Sequence, residues 1–162
     1  MLRENEMPEH KITQVKDLVS NNGTILSQVS DRVSLMEKAI KLQAKAAEFG
    51  FDWTTIEPIF EKLQEEIVEL KYELGQSFSE GQNKHDKHLR LQDELGDVLF
   101  CCMNLARFLK VDPEKALQST NQKFERRFNF IELYVAQQGK KMQDLTLEEL
   151  DRVWDLAKEQ GL

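Results

Sequence analysis

Two pairs of acidic residues are the part of this sequence best suited to chemistry. Glu66 and Glu69 lie three residues apart in one segment, and Glu94 and Asp97 lie three residues apart in the next. Residues three apart on a helix are neighbours on one face, so each pair borders the apolar stripe of its own helix. If the two helices pack antiparallel, the four carboxylates converge beside the core.

Four convergent carboxylates repel one another, and a divalent cation is the simplest way to compensate their charge. Ligands that are all oxygen favour Mg²⁺, Mn²⁺ or Ca²⁺ over zinc, and Mg²⁺ often shares its coordination shell with substrate phosphates. The alternative is a solvated helix face, which Glu61 and Lys62 would extend. Gly96 argues against this alternative, because glycine inside a helix costs about 1 kcal/mol relative to alanine and often marks a close approach.

A di-iron bundle is another use of four carboxylates, and it requires Glu-x-x-His pairs on its helices. The three histidines, His10, His85 and His88, fall in segments that the pattern predicts as arm or loop. The sequence therefore favours an all-oxygen site for a hard cation.

Basic and aromatic side chains supply candidate contacts for a nucleotide. Lys123 and Arg127 share a helix face at a spacing of four residues, which suits either phosphate binding or surface salt bridges. Trp53 and Trp154 are candidates to stack on a base, although packing is the commoner use of tryptophan. Asn104 lies in an apolar run, where an amide needs a polar partner, and a substrate is one candidate.

The elements that must position these residues are predicted to be helices, because apolar residues recur with helical periodicity from residue 31 onward and no segment has the pattern of a strand. The predicted helices cover about 31–49, Thr54 or Thr55 to 74, 87–110, 113–138 and 147–159. A polar loop over 75–88 separates the second from the third.

Local signals place the ends of these helices. They are Gly50 after the first helix, Pro58 in the first turns of the second, Asp112-Pro113 at the start of the fourth, and Thr146 with Glu149 as a capping box for the fifth. We therefore expect an all-α helical bundle, with a polar N-terminal arm at 1–30 and a helical domain at 31–162.

The third predicted helix is apolar around more than one face. Leu95 and Leu99 belong to its predicted buried stripe, and Phe100 and Met103 lie beside it. A helix that is apolar on two sides must bury both, which predicts at least a homodimer.

Composition excludes several classes of protein. The 162 residues carry a net charge of −7, which argues against a general nucleic-acid binder or a binder of anionic membranes. Cys101 and Cys102 are adjacent and cannot form a structural zinc site, so we expect reduced thiols. The first 20 residues have no apolar signal segment, and the uncharged run 98–106 is too short to span a bilayer. We expect a cytoplasmic protein that contacts neither nucleic acid nor membrane.

Taken together, these motifs resemble those of the MazG nucleoside triphosphate pyrophosphohydrolases. The resemblance covers about residues 31–160 and is strongest in three segments: Glu65-Glu66-x-x-Glu69, Glu94-Leu95-Gly96-Asp97 with Asn104, and Asn121-x-Lys123-Phe124-x-x-Arg127-Phe128. Lys41-Leu42-Gln43 and Gly50–Trp53 are similar to the C-terminal module of two-module MazG proteins. The arm at 1–30 has no counterpart in the family, and the loop at 75–88 is longer than usual for it.

The resemblance implies the all-α NTP pyrophosphatase fold, which is completed by dimerisation, with some dimers pairing into tetramers. It implies Mg²⁺-dependent hydrolysis of (deoxy)nucleoside triphosphates to the monophosphate and pyrophosphate, with Mn²⁺ as a substitute, in house-cleaning or control of the nucleotide pool. The implied metal ligands are Glu66, Glu69, Glu94 and Asp97.

The resemblance also assigns roles outside the metal ligands. Lys123 and Arg127 would contact phosphates, Glu65 would orient the attacking water, and Trp53, Trp154 and Lys158 would contact the nucleotide. Three alternatives stay open: a dimeric dUTPase-like activity, a phosphoribosyl-ATP pyrophosphatase activity on the same fold, and a non-enzymatic helical interaction module.

Overall fold

The computed structural model describes residues 23–76 and 84–162. All regular structure in these two ranges is helical, which confirms the all-α prediction. The five α-helices are α1 (Leu35–Ala47), α2 (Glu57–Gly75), α3 (Lys84–Leu109), α4 (Pro113–Gln137) and α5 (Leu147–Glu159). Two short 3₁₀ helices, Ile25–Gln28 and Met142–Asp144, complete the described structure. Most of the predicted N-terminal arm lies outside the described residues.

The chain divides into two compact units after Val111. In the first unit, α3 packs against both α1 and α2. Contacts near the end of α2 show that α2 and α3 run antiparallel: Arg90 Nε donates to Glu73 at 2.9 Å, and Lys87 Nζ donates to the Gln76 carbonyl at 2.6 Å. Glu73 therefore lies opposite Arg90, and residues earlier in α2 lie opposite residues later in α3.

Helix α1 is held to α3 by a side-chain hydrogen bond as well as by packing. The Gln43 amide nitrogen donates to the Phe100 carbonyl at 2.9 Å. Gly50 takes a left-handed φ of 82° just after α1, a conformation that glycine adopts without a steric penalty. This confirms its predicted place at the end of the helix and turns the chain into the connector that leads to α2.

The second unit is a hairpin of α4 and α5. Its core consists of Ile131 and Val135 from α4 and Val153 from α5. The predicted caps are present: the Asp112 carboxylate accepts from the backbone N–H groups of Glu114 and Lys115, and Thr146 forms a capping box with Glu149. Sequence and structure agree closely here because the signals that end these helices are local.

The start of α2 differs from the prediction of a threonine cap. Its N-cap residue is Ile56, which makes no side-chain capping bond. Instead, the Glu57 carboxylate accepts bonds from the first backbone N–H groups and from the Thr55 hydroxyl, and these bonds lower the pKa of Glu57. A carboxylate in the first turn satisfies the free N–H groups as a capping threonine would, so the prediction of Thr54 or Thr55 was wrong.

The start of α3 was also placed too late. The helix begins at Lys84, so His85 and His88 lie in a helix rather than in a loop. Residues 77–83 of the predicted loop fall outside the described structure. Two residues of the predicted buried stripe of α3, Leu95 and Leu99, are instead 49% and 53% exposed. None of the described helices combines the length and the apolar character needed to cross a membrane.

Candidate functional site

The antiparallel pair α2 and α3 brings the predicted carboxylates together. Glu66, Glu94 and Asp97 each offer a carboxylate oxygen, and the three oxygens lie within 4.8 Å of one another. Glu65, Glu66 and Glu69 form a second set at the same separation. Glu66 belongs to both sets, so it joins the acidic residues of the two helices into one acidic cluster.

Glu66 differs from the other members in its burial. Only 5% of its surface is exposed, whereas Glu65, Glu69 and Asp97 are exposed and Glu94 is half-buried. A buried carboxylate is costly unless another group compensates its charge. The identity of the compensating group is therefore the central question of this site.

Lys62 supplies part of the compensation. Its ammonium lies 2.7 Å from a Glu66 oxygen and 2.8 Å from a Glu65 oxygen. These two carboxylates hold the pKa of Lys62 above its usual range. In the sequence Lys62 extends a charged helix face, and its spacing of four residues from Glu66 was a signal for this contact.

The acidic cluster perturbs its surroundings as excess negative charge should. Loss of solvation, followed by repulsion from Glu66, holds the pKa of Glu69 above its usual range. The same two causes raise the pKa of Cys101 on α3. Cys101 and Cys102 are free, as predicted, and half-buried. In both cases repulsion from Glu66 contributes to the raised pKa, and the Lys62 ammonium acts in the opposite direction.

The donor set fits a hard divalent cation. Each set of three residues offers only carboxylate oxygens, which Mg²⁺ and Mn²⁺ prefer over softer ligands. Of the five carboxylates in the cluster, Glu65 and Glu66 contact the Lys62 ammonium. Glu66 is buried and belongs to both sets of carboxylates. This distinguishes the cluster from the exposed acidic faces that are common on helices.

Asn104 lies on α3, beyond the acidic cluster, and has a partner that the sequence did not reveal. It is 8% exposed, and its Oδ1 accepts bonds from Arg107 Nε at 3.1 Å and Nη2 at 2.8 Å. Arg107 also donates to both oxygens of Asp52, with 3.0 Å between Nη1 and Oδ2. The guanidinium holds the pKa of Asp52 below its usual range. Asp52 and Arg107 are 55 residues apart in the chain, so sequence spacing carried no signal for this pair.

Trp53 lies in the connector next to this network. Its backbone N–H donates to Asp52 Oδ1 at 2.9 Å, and 40% of its surface is exposed. The indole is therefore accessible to a ligand, as a base-stacking role requires.

The second unit holds the remaining candidates. Arg127 Nε donates to the Leu162 carbonyl at 2.8 Å, and its guanidinium lies 5.4 Å from the centre of the Trp154 ring. Phe124 also contacts this ring at a centroid distance of 5.3 Å. Lys123 is exposed, and Lys158 forms an ion pair with Asp155 at 2.8 Å. Trp154 thus packs with Arg127 and with the edge of the core.

Comparisons with known proteins identify a family whose sequences this chain resembles. The model of the MazG nucleotide pyrophosphohydrolase domain matches residues 54–131. A nucleoside triphosphate pyrophosphohydrolase of Escherichia coli K12 is 39% identical over 137 residues, which are 85% of this chain and 49% of the relative. A Thermotoga maritima protein, named nucleoside triphosphate pyrophosphohydrolase/pyrophosphatase MazG, is 35% identical over 133 residues, 82% of this chain and 48% of the relative.

The chain thus spans about half the length of these curated relatives. The matched region 54–131 contains all five carboxylates of the acidic cluster, and also Asn104 and Arg107. The all-α fold, the order of the motifs and the identity over most of the chain agree with one another, and this chain therefore carries a domain of the MazG nucleoside triphosphate pyrophosphohydrolase family.

Proposed function

We propose that this protein hydrolyses (deoxy)nucleoside triphosphates to the monophosphate and pyrophosphate with the help of a divalent cation. The observation that carries the proposal is the acidic cluster, in which the buried Glu66 joins carboxylates from α2 and α3 within 4.8 Å. A non-catalytic helical module would have no reason to accept the cost of burying one of several crowded carboxylates.

The chain's own residues supply the parts of the reaction. Glu66, Glu69, Glu94 and Asp97 would hold Mg²⁺, or Mn²⁺ in its place. The bound cation would neutralise charge on phosphate oxygens and favour departure of pyrophosphate. Glu65 is the exposed carboxylate next to this set, and it would orient the water and accept its proton.

Contacts to the substrate come from residues that match the family motifs. Lys123 and Arg127 would bind the β and γ phosphates, since both are cations one turn apart on α4. Trp53 and Asn104 would contact the nucleoside. Trp154 and Lys158 would contribute to nucleotide binding from α5. If Lys123 and Arg127 hold the β and γ phosphates, the α phosphate is the one left for the metal that the carboxylates would hold. Water would then attack the α phosphorus.

A panel of ribo- and deoxyribonucleoside triphosphates, incubated with protein and Mg²⁺ in ¹⁸O-labelled water, tests the proposal. We expect equal amounts of monophosphate and pyrophosphate, with the label in the monophosphate. Including dUTP and phosphoribosyl-ATP distinguishes the two related activities on the same fold. Diphosphate with free phosphate, label in pyrophosphate, or no turnover of any member would contradict the proposal.

Exposed apolar side chains on α2 and α3 support assembly of the protein as a homodimer. Phe60, Tyr72, Leu95 and Leu99 are each 49–66% exposed within a single chain. Several exposed apolar side chains on neighbouring helices are more typical of an interaction site than of the surface of a monomeric protein. We propose that a second copy of the chain covers it.

A further inference from the structure

The ion pair between Asp52 and Arg107 has no part in the function proposed so far. It joins the connector after α1 to the C-terminal half of α3, and the two side chains are only 29% and 16% exposed. Two guanidinium nitrogens of Arg107 reach the two carboxylate oxygens of Asp52. A pair with two such bonds fixes direction as well as distance, so this contact holds the connector in one position.

The same guanidinium fixes the orientation of the Asn104 amide. Arginine has donors only, so the atom that Asn104 presents to it must be its oxygen, which accepts two N–H groups. The amide nitrogen, Nδ2, must then point the other way. It has no hydrogen-bond partner within residues 23–76 and 84–162, although Asn104 is 8% exposed. Among the described residues the buried side-chain atom that lacks a partner is Gln43 Oε1, so Asn104 Nδ2 keeps some contact with solvent. An acceptor from outside the chain can therefore reach this donor.

The position of Asn104 suits an acceptor on the nucleoside. Asn104 follows Asp97 by seven residues, which is two turns, or about 10 Å, along the same face of α3. A nucleotide whose phosphates lie at the acidic cluster can extend its sugar and base over this distance. Trp53 follows Asp52 in the connector, and its backbone N–H donates to the Asp52 carboxylate. The ion pair that anchors Asp52 therefore also restrains Trp53.

We infer that Asp52 and Arg107 are positioning residues for the nucleoside part of the substrate. They aim the Asn104 Nδ2 donor at an acceptor atom of the base or sugar and hold Trp53 beside it. This inference rests on the proposed function. It assigns the pair a role in binding the nucleoside and none in binding the triphosphate or in bond cleavage.

The first test compares Arg107→Lys with Arg90→Lys. Lysine keeps the charge but has three donors and no planar fork, so it cannot make the four bonds that Arg107 makes to Asp52 and Asn104. Arg90 serves as the matched control, because it joins α3 to Glu73 on α2 and touches neither Trp53 nor Asn104. We expect Arg107→Lys to raise KM for nucleoside triphosphates about tenfold, the size of one lost hydrogen bond. We expect kcat to stay within about threefold, and Arg90→Lys to change neither constant.

Inorganic tripolyphosphate distinguishes a positioning role from a merely structural one. As a competitive inhibitor it has phosphates but no nucleoside, so its inhibition constant should be the same for wild type and Arg107→Lys. Asp52→Asn should reproduce the rise in KM, and the double variant should be no worse than either single variant, because both break one network. Ribose 5′-triphosphate separates base from sugar: an Arg107→Lys effect on its binding indicates a sugar acceptor, and no effect indicates a base acceptor.

The outcomes separate this inference from the function on which it rests. Suppose that wild type hydrolyses triphosphates. If Arg107→Lys then weakens the binding of tripolyphosphate as much as the binding of nucleotide, or weakens the binding of neither, the inference is wrong and the function stands. If wild type neither hydrolyses triphosphates nor binds any nucleotide by calorimetry, both are wrong. Thermal melting of each variant shows whether it folds. If Arg107→Lys does not fold, Asp52→Asn takes its place in the comparison.

Discussion

Glu66 is the residue on which the chemistry of this protein depends. It is the buried member of both carboxylate sets, and it contacts the Lys62 ammonium at 2.7 Å. The helical spacing of the carboxylates predicted that they converge if the two helices pack antiparallel. The burial of one of them depends on how α2 and α3 pack, which spacing does not fix.

Replacing Glu66 by glutamine should abolish turnover without unfolding the protein. Glutamine keeps the volume of the side chain but removes the charge that a cation needs, so we expect kcat to fall by at least about 100-fold. Chelation of the metal in wild type should remove activity in the same way. The matched control is Glu61→Gln, an exposed residue on α2 outside the cluster, which should retain activity. Full activity of Glu66→Gln, or of wild type in excess EDTA, would show that the cluster is not the active site.

Lys62 and a bound cation should compete for the same carboxylates. Lys62→Met removes the ammonium while keeping a side chain of similar length, so the cluster becomes more negative. We expect Mn²⁺ to bind the variant several-fold more tightly, because the ammonium no longer competes with the cation for the carboxylates. Calorimetric titration with Mn²⁺ measures this, with Lys71→Met as control because Lys71 is exposed on the same helix. Weaker Mn²⁺ binding by Lys62→Met would mean that the ammonium helps to build the site.

At the scale of elements, the structure shows which helix ends a sequence can predict. The ends at Gly50, Asp112 and Thr146 carry residue types whose conformation or side-chain bonds terminate a helix, and all three were predicted correctly. The start of α2 has only Ile56 at its cap, and a carboxylate one residue later performs the capping. The tertiary bonds of Asp52 and Arg107 likewise join distant segments and leave no periodic signal.

The capping box of α5 should contribute to stability in a pH-dependent way. Thr146→Ala should lower the free energy of unfolding by about 1 kcal/mol at pH 7. The Thr146 backbone N–H holds the pKa of Glu149 below its usual value of 4.5. A lowered folded pKa stabilises the protein above the unfolded pKa, and this contribution is lost as the pH falls through the folded value.

Urea unfolding of Glu149→Gln and wild type across pH 7 to 3 measures this effect. The difference between the two proteins should be largest at pH 7 and should shrink below about pH 4.5. Glu148→Gln is the control, because Glu148 lies in the same first turn but makes no bond to Thr146. A difference that grows as the pH falls would contradict the assigned role of the Glu149 carboxylate.

At the scale of the whole molecule, single-chain reasoning overestimated the burial of α3. The apolar period of the helix is real, but Leu95 and Leu99 are half exposed. The spacing of apolar residues along the sequence shows that one face of the helix is apolar. It does not show whether that face is covered by the same chain, by a second chain or by water. The same excess of apolar residues that made α3 difficult to bury in one bundle is the reason to expect a second copy of the chain.

Assembly can therefore be tested at Leu99. Light scattering at micromolar concentration should give wild type a mass of at least twice 18.9 kDa, and a value four times as large would indicate paired dimers. Leu99→Glu places a charge on the exposed apolar face of α3, and burying it in an interface would be costly, so this variant should be monomeric. Leu147→Glu is the control, because Leu147 is 70% exposed at the start of α5 and outside α2 and α3, and it should leave the mass unchanged. A monomeric wild type would show that water, rather than a partner chain, covers Leu95 and Leu99.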